Sequence, residues 1–281
     1  MKDRLQLALI QLIPKNTLSR LVGYFASSGM SRSLIPIYAK HFLINLDEAE
    51  KGLSEYPNLL EFFIRRLRPE LRPIAGEVDT VVSPVDGRVA AAGRIEKGSL
   101  FQAKGSYYTV QELLGGDTAR AERYEGGSFL TIYLSPRDCH RIHMPLAGRV
   151  KGYTYVPGTL FPVNPFGVRT VKGLFAKNER LITYLDTQAG EVALVKVGAT
   201  IVGSVRVVYD PVSTNMAGGR LEHRDLPDGP ALAKGEELGR FEFGSTVILL
   251  FEQGRIELNP DLQPEKFLLM GQALGKIVDK Q

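Results

Sequence analysis

From residue 80 to about residue 255 the chain is written in short runs of Val, Ile, Leu and Thr broken by Gly-containing turns. That texture constrains the fold more than any other feature. "SFLTIYL" (128–134), "RLITYLD" (180–186), "VALVKVGATIVGSVRVVY" (192–209) and "TVILLFE" (246–252) all have the composition of strands. The region before it differs. Residues 1 to about 68 read as helices: Leu5, Leu9, Leu12 and Ile13 form one stripe stopped by Pro14, and Thr17 is placed to cap a second helix carrying Leu18, Leu21, Val22 and Phe25, with Gly29 at its end. "SLIPIYAKHFLINL" follows, then a helix with Leu59, Phe62 and Phe63 and the basic run "RRLRPELRP". At the far end "PEKFLLMGQALGKIVD" is expected to form a short helix. Helices first and strands afterwards predict an α+β protein, with an N-terminal helical region over 1–68 and an antiparallel-rich β-domain over 69–281.

A repeat runs through the β-region. "SPVDGRV" (83–89) and "MPLAGRV" (144–150) share P-x-x-G-R-V at a separation of 61 residues, and each leads into a strand-like segment. This suggests a duplicated β-unit with pseudo-two-fold symmetry. The 281 residues suffice for a sizeable core, and 44% hydrophobic against 23% charged residues is ordinary for a globular protein. One cysteine, Cys139, excludes an internal disulfide and fits a reducing compartment. No apolar run reaches the roughly 18 residues of a membrane span, and the N-terminus, with Asp3 and a short apolar core, does not read as a signal peptide. A net charge of +4 leans weakly toward an acidic partner, anionic lipid or nucleic acid. The apolar stripes flanked by Lys2, Arg4, Lys15, Arg20, Arg32 and Lys40 fit either packing on the β-domain or lying flat in a membrane interface.

Chemistry concentrates at few positions. Two of the four histidines, His140 and His143, share "YLSPRDCHRIHMP", expected as an ordered loop after a strand. Their spacing suits zinc, but no further Cys or His cluster completes a tetrahedral site, so no metal is expected. Cys139 reads as a small semi-buried thiol rather than a nucleophile. Asp86 sits in a turn signature, where its carboxylate could simply hold its own turn. His41 and His223 carry no evident role, and no phosphate loop, dinucleotide fingerprint or G-x-S-x-G elbow is present. In "GRFEFGSTVILLFEQG" a glycine and two hydroxyls interrupt an otherwise apolar strand. Gly244 leaves its carbonyl unshielded and Ser245 brings a hydroxyl beside it, so either a strand bulge or self-cleavage of the Gly244–Ser245 bond accounts for the pattern.

Several of these fragments together resemble one family, the bacterial phosphatidylserine decarboxylases. "FGST", "YLSPRDCHRIHMP", "SPVDGRV", "QAKG" (102–105), "YVPGTLFPVN" (155–164), "LFAKNER" (174–180) and "VGATIVGSV" (197–205) occur in the family's order, over residues from about 60 to 255. Two positions depart from it: Phe243 stands where the family often has Leu, and Cys139 where it often has Tyr. The resemblance implies a proenzyme that makes its own cofactor. Asp86, His143 and Ser245 correspond to a self-cleavage triad, with Asp86 orienting His143 and His143 taking the Ser245 proton. Cleavage would yield a large chain, 1–244, and a small chain, 245–281, headed by a covalent pyruvoyl group derived from Ser245. That group would form a Schiff base with phosphatidylserine and accept the electrons left by carbon dioxide, giving phosphatidylethanolamine. The resemblance assigns the returning proton to His140 and leaves Asp138 either orienting His140 or closing a local turn. It also implies an anionic membrane surface as partner, peripheral and on the cytoplasmic face, and no nucleic acid, with a homodimer left open. A pyruvoyl decarboxylase of a soluble amino acid, a biotinyl- or lipoyl-type carrier, and a serine hydrolase using the same three residues are the competing readings.

Overall fold

The computed structural model describes residues 15–103, 106–200, 204–216, 218–242 and 245–278. The first expected helix, with Leu5, Leu9, Leu12 and Ile13, lies outside the described residues, as do Phe243 and Gly244. A nine-stranded antiparallel sheet dominates. Across it run Glu222–Asp225, Gly148–Val156, Arg180–Thr187, Gly190–Val197, Ser245–Phe251, Ser128–Leu134, Gly87–Arg94 and Phe267–Leu268, with Ala231–Leu232 also paired to Gly148–Val156. The expected α+β architecture is borne out.

The Ser245–Phe251 strand lies at the centre, paired along its length with Ser128–Leu134 and along six residues with Gly190–Val197. Its side chains alternate between two separate cores. Val247, Leu249 and Phe251 enter one and Ile248 and Leu250 the other. Burial on both faces explains why the sequence here is a continuous apolar run rather than an alternating one.

The P-x-x-G-R-V repeat is a structural repeat. Gly87 and Arg88 pair with Leu268 and Phe267, and 61 residues later Gly148 and Arg149 pair with Leu232 and Ala231. Both strands bulge at the same place, between Val89 and Ala91 and between Val150 and Gly152. The halves exchange equivalent hydrogen bonds: the His143 N–H donates to the Pro84 carbonyl at 2.8 Å and the Val82 N–H to the Pro145 carbonyl at 2.9 Å. Gly271 and Gly235 likewise donate to Ser83 and Met144, each at 2.9 Å. Both glycines have φ in the left-handed region, 85° and 81°, where a side chain would be strained. Reciprocal exchange of matching bonds is the signature of a pseudo-two-fold axis.

Three expectations need correction. "PEKFLLMGQALGKIVD" is not a helix but holds the strands Phe267–Leu268 and Ala273–Ile277. Gly271 breaks helical geometry there, and Thr80–Val82 and Ile256–Leu258 supply pairing partners on either side of Ala273–Ile277. "VALVKVGATIVGSVRVVY" splits into Gly190–Val197 and Ser204–Val207, which belong to different sheets. Thr17 does not cap the second helix; that helix spans Lys15–Ser27 and contains it. A 3₁₀ turn, Gly29–Leu34, then leads into the helix Ile35–His41.

The helical region has its own core, in which Ala26, Ile35, Ala39, Tyr56, Phe62 and Phe63 are buried together. It is tied to the β-region by the Arg141 side chain, whose Nε donates to the Ile64 carbonyl at 2.9 Å, and by Tyr38 Oη, which donates to Pro136. Its outer face leaves Leu21, Tyr24, Met30, Ile37 and Leu43 exposed. Among the described residues no helix is long and apolar enough to cross a membrane.

The repeat has a measurable consequence. A Cβ at Gly87 would lie 2.6 Å from the Tyr133 carbonyl oxygen, and one at Gly148 2.5 Å from that of Asp186. Gly87→Ala and Gly148→Ala are each expected to destabilise the protein, by about 1–3 kcal/mol. Chemical denaturation checks this; a neutral effect at either position would show that the strand register there is wrong.

Candidate functional site

Asp86 ends the turn between Thr80–Val82 and Gly87–Arg94 and is 3% exposed. Its carboxylate does not close its own turn. It accepts from Arg72 Nε at 2.9 and 3.1 Å, from Arg72 Nη2 at 2.8 Å, and from the Met270 N–H at 2.7 Å. Arg72 Nη2 also donates to Glu48 at 2.7 Å, so a chain of charges links the helical region to the Asp86 turn. Burial opposes the guanidinium's charge, but Asp86 and Glu48 outweigh it and raise the Arg72 pKa. Sequence reasoning missed Arg72, because nothing within "RRLRPELRP" separates it from its basic neighbours.

His143 lies not on a loop, as expected, but in the strand Arg141–His143, whose partner Glu237–Glu242 sets its register opposite Glu237. Its N–H bonds to Pro84 and its Nδ1 lies 3.4 Å from the same carbonyl. Burial pushes its pKa down, partly offset by the Pro84 carbonyl and by the charges of Glu237 and Asp86. Asp86 and His143 face one cavity of about 500 Å³, with Arg72, Arg141 and Glu237 in its walls. Arg141 and Glu237 form a close pair there, Nη1 lying 2.6 Å from both carboxylate oxygens. No hydrogen bond joins Asp86 to His143 among the described residues; Arg72 occupies the carboxylate instead.

His140 is fully buried against Phe63, ring centroids 4.0 Å apart. Its Nδ1 donates to the Asp138 carbonyl at 2.9 Å, and its Nε2 has no partner among the described residues. That pairing assigns the proton to Nδ1 and leaves Nε2 a bare acceptor. Burial pushes the His140 pKa down to about 3; the Asp138 carbonyl resists this and the Arg65 guanidinium adds to it. The Asp138 carboxylate takes up the Ser135 N–H and hydroxyl, both at 2.7 Å, and closes the turn. The residue's backbone carbonyl, not its carboxylate, therefore orients His140. Cys139 is buried, and burial pushes its thiol up, away from a thiolate nucleophile. No group of three metal-ligating side chains occurs among the described residues.

Ser245 is the first residue of the central strand and stands opposite Leu134. The Ser128–Leu134 strand runs directly into the turn that carries His140. On the other side of the 243–244 junction, the Phe241 N–H donates to the His140 carbonyl at 2.9 Å. Residues 241 and 245 thus pair with the two ends of the His140 turn, His140 and Leu134, while Gly244, half of the expected scissile bond, lies outside the described residues. His41 and His223 stand apart; His223 Nδ1 bonds Thr154 Oγ1 at the sheet edge.

Residues 59–276 match the phosphatidylserine decarboxylase family. The chain is 51% identical to a phosphatidylserine decarboxylase proenzyme of Brevibacillus brevis, over 98% of this chain and 99% of that protein. It is 49% identical to the proenzyme of an Anaeromyxobacter species, over 98% of this chain and 99% of that one, and 46% identical to that of Myxococcus xanthus, over 99% and 100%. These relatives are carboxy-lyases by name. The chain belongs to the phosphatidylserine decarboxylase family.

The environment of His140 predicts an acid sensitivity. The unfolded chain takes up this proton near pH 6.5, the folded chain only near 3, so stability falls as pH drops through that window. A group with these two values removes about 2 kcal/mol between pH 7 and pH 5. His140→Gln is expected to shrink the loss of melting temperature between those pH values, with His143 retaining its own share. An unchanged loss would show that His140 is already charged in the folded protein.

Proposed function

We propose that the chain is a phosphatidylserine decarboxylase proenzyme that cleaves itself between Gly244 and Ser245. The observation that carries this reading is the pairing of residue 245 with Leu134, where the chain enters the turn that holds His140, with Cys139 of that turn lining the same cavity as Asp86 and His143. The Ser245 hydroxyl attacks the Gly244 carbonyl carbon as His143 accepts its proton, and the acyl group passes from nitrogen to oxygen. Asp86 steadies the imidazolium, and Arg72 sets how much of the carboxylate's charge is available for that task. Loss of the Ser245 α-proton then breaks the Cβ–O bond and frees residue 244 as a carboxylate. The dehydroalanine left at 245 takes up water and loses ammonia, which leaves a pyruvoyl group on 245–281.

The residues around position 245 suit such a group. It would be held by the strand itself, and the turn that follows its partner strand Ser128–Leu134 carries the buried, unpartnered acceptor His140 Nε2. A pyruvoyl group supplies a conjugated carbonyl that takes up a substrate amine and the electron pair left by departing carbon dioxide. His140 returns a proton to the former α-carbon, where carbon dioxide has left, and forms phosphatidylethanolamine. Residues 1–68 form the membrane-associating region, docking on the cytoplasmic face through Leu21, Tyr24, Met30, Ile37 and Leu43 beside Arg20, Arg32 and Lys40.

Three outcomes are expected. Ser245→Ala leaves one polypeptide of precursor mass with no decarboxylation of phosphatidylserine vesicles; two components in its intact-mass spectrum would refute the cleavage site. Arg72→Ala matures at least about tenfold more slowly than the parent and Arg72→Lys falls between them, because a lysine cannot reproduce the forked contact with Asp86. A maturation time course by gel decides it, and parent-like kinetics in Arg72→Ala would remove Arg72 from the machinery. Ile37→Asp with Leu43→Asp is expected to weaken sedimentation with anionic vesicles while leaving self-cleavage intact.

A further inference from the structure

A second, smaller cavity of about 200 Å³ lies on the other side of Asp86 and Cys139, and its walls include Arg65, Arg137 and Asp138. Arg65 is the unusual member. It is 4% exposed, and its Nη2 donates to the Arg137 carbonyl at 2.6 Å. Its Nε and Nη1 have no hydrogen-bond partner among the described residues, and no carboxylate lies within ion-pair distance of it there. The face of Phe62, with its centroid 5.4 Å from Arg65 Cζ, is its nearest compensation. The acidic groups of the cavity are already engaged: Glu48 and Asp86 by Arg72, and Asp138 by Ser135 and, at 3.7 Å, by Arg137 Nε. A buried guanidinium with two idle donors and no counter-charge is costly unless an anion completes it.

We propose that this cavity is the subsite for the phosphodiester of the phospholipid headgroup, with Arg65 as its buried cation and Arg137 at its mouth; this rests on the function proposed above. The mouth has the chemistry of a headgroup–acyl boundary. Leu43, Phe267 and Leu269 are exposed around it, and the guanidinium of Arg137, itself half-exposed, lies 5.9 Å from the Phe267 ring. The floor is next to the chemistry. Phe63, two residues from Arg65, stacks on His140, and the Arg65 charge is felt at that imidazole. In a phosphoserine headgroup the phosphorus stands only a few bonds from the carbon that loses carbon dioxide, so an anion site beside His140 is within reach.

Reaction energetics select the phosphodiester over the carboxylate as the ligand of Arg65. A cation on the carboxylate stabilises the ground state, loses its partner as neutral carbon dioxide departs, and so slows the reaction. The phosphodiester keeps its charge from substrate to product. A guanidinium there contributes uniform binding, and its removal falls on KM rather than on kcat. Burial is the main cause that holds His140 unprotonated, and an anion seated at Arg65 offsets only the smaller share that the guanidinium adds to it.

The test uses matured enzyme, with both chains confirmed by intact mass, and two substrates: phosphatidylserine in mixed micelles and O-hexadecyl serine, which has the amine, carboxylate and chain but no phosphate. Arg65→Gln is expected to raise KM for phosphatidylserine about tenfold, Arg65→Lys to recover part of this, and Arg137→Gln to raise it a few-fold. None should change KM for O-hexadecyl serine, and inorganic phosphate should compete with phosphatidylserine in the parent more strongly than in Arg65→Gln. Equal penalties on both substrates, or an unchanged KM for phosphatidylserine, would overturn the subsite by reducing Arg65 to a structural residue. Should Arg65→Gln fail to mature, the half-exposed Arg137→Gln decides by the same comparison. A matured parent that does not decarboxylate phosphatidylserine at all would instead overturn the underlying function.

Discussion

The crossed pair of backbone hydrogen bonds, His143 to Pro84 and Val82 to Pro145, is the joint on which the rest of the protein depends. It closes two copies of the same β-unit against each other about a pseudo-two-fold axis. Each copy brings a turn and a short strand to the joint, so a residue at the end of the first turn meets one at the end of the second strand. The first copy supplies Asp86 where the second has Ala147, and the second supplies His143 where the first has Val82. A symmetric scaffold thus carries asymmetric chemistry, because the two positions that face the cavity were free to diverge while the backbone exchange was kept.

Burial then decides what each ionisable group can do. His140 and His143 are three residues apart, yet one is sealed against Phe63 with its Nδ1 committed to a carbonyl, while the other stands in the wall of a cavity beside Asp86 and Glu237. The same low-dielectric setting makes Arg72 and Arg65 opposite cases. Arg72 is matched by two carboxylates and fixes Asp86; Arg65 has an aromatic face and a single carbonyl. In a buried site an unmatched charge is costly, and that cost sets Arg65 apart from Arg72.

Much of the fold was legible beforehand. "SFLTIYL" and "RLITYLD" became strands within a residue of their expected ends, since β-branched runs bounded by turns have few alternatives. P-x-x-G-R-V announced the duplication, because the same glycine must pass close to a neighbouring backbone carbonyl in each copy. The segment after Pro264 was misread as a helix because its apolar spacing is compatible with one. Its true state depends on strands at 80–82 and 87–94, almost two hundred residues away, which no local pattern can reveal.

Local chemistry along the chain was enough to specify most strands and helices and the duplicated turns, because composition and spacing act over a few residues; the resemblance to the decarboxylases was what singled out Asp86, His140, His143 and Ser245. Which groups meet was settled by pairing at long range. Arg72 on Asp86, the Asp138 carbonyl on His140, Arg65 with no carboxylate among the described residues, and residue 245 opposite Leu134 at the head of the His140 turn all follow from sheet register and from the helical region folding back. Burial and hydrogen bonding are properties of three-dimensional neighbours, and one-dimensional order does not contain them.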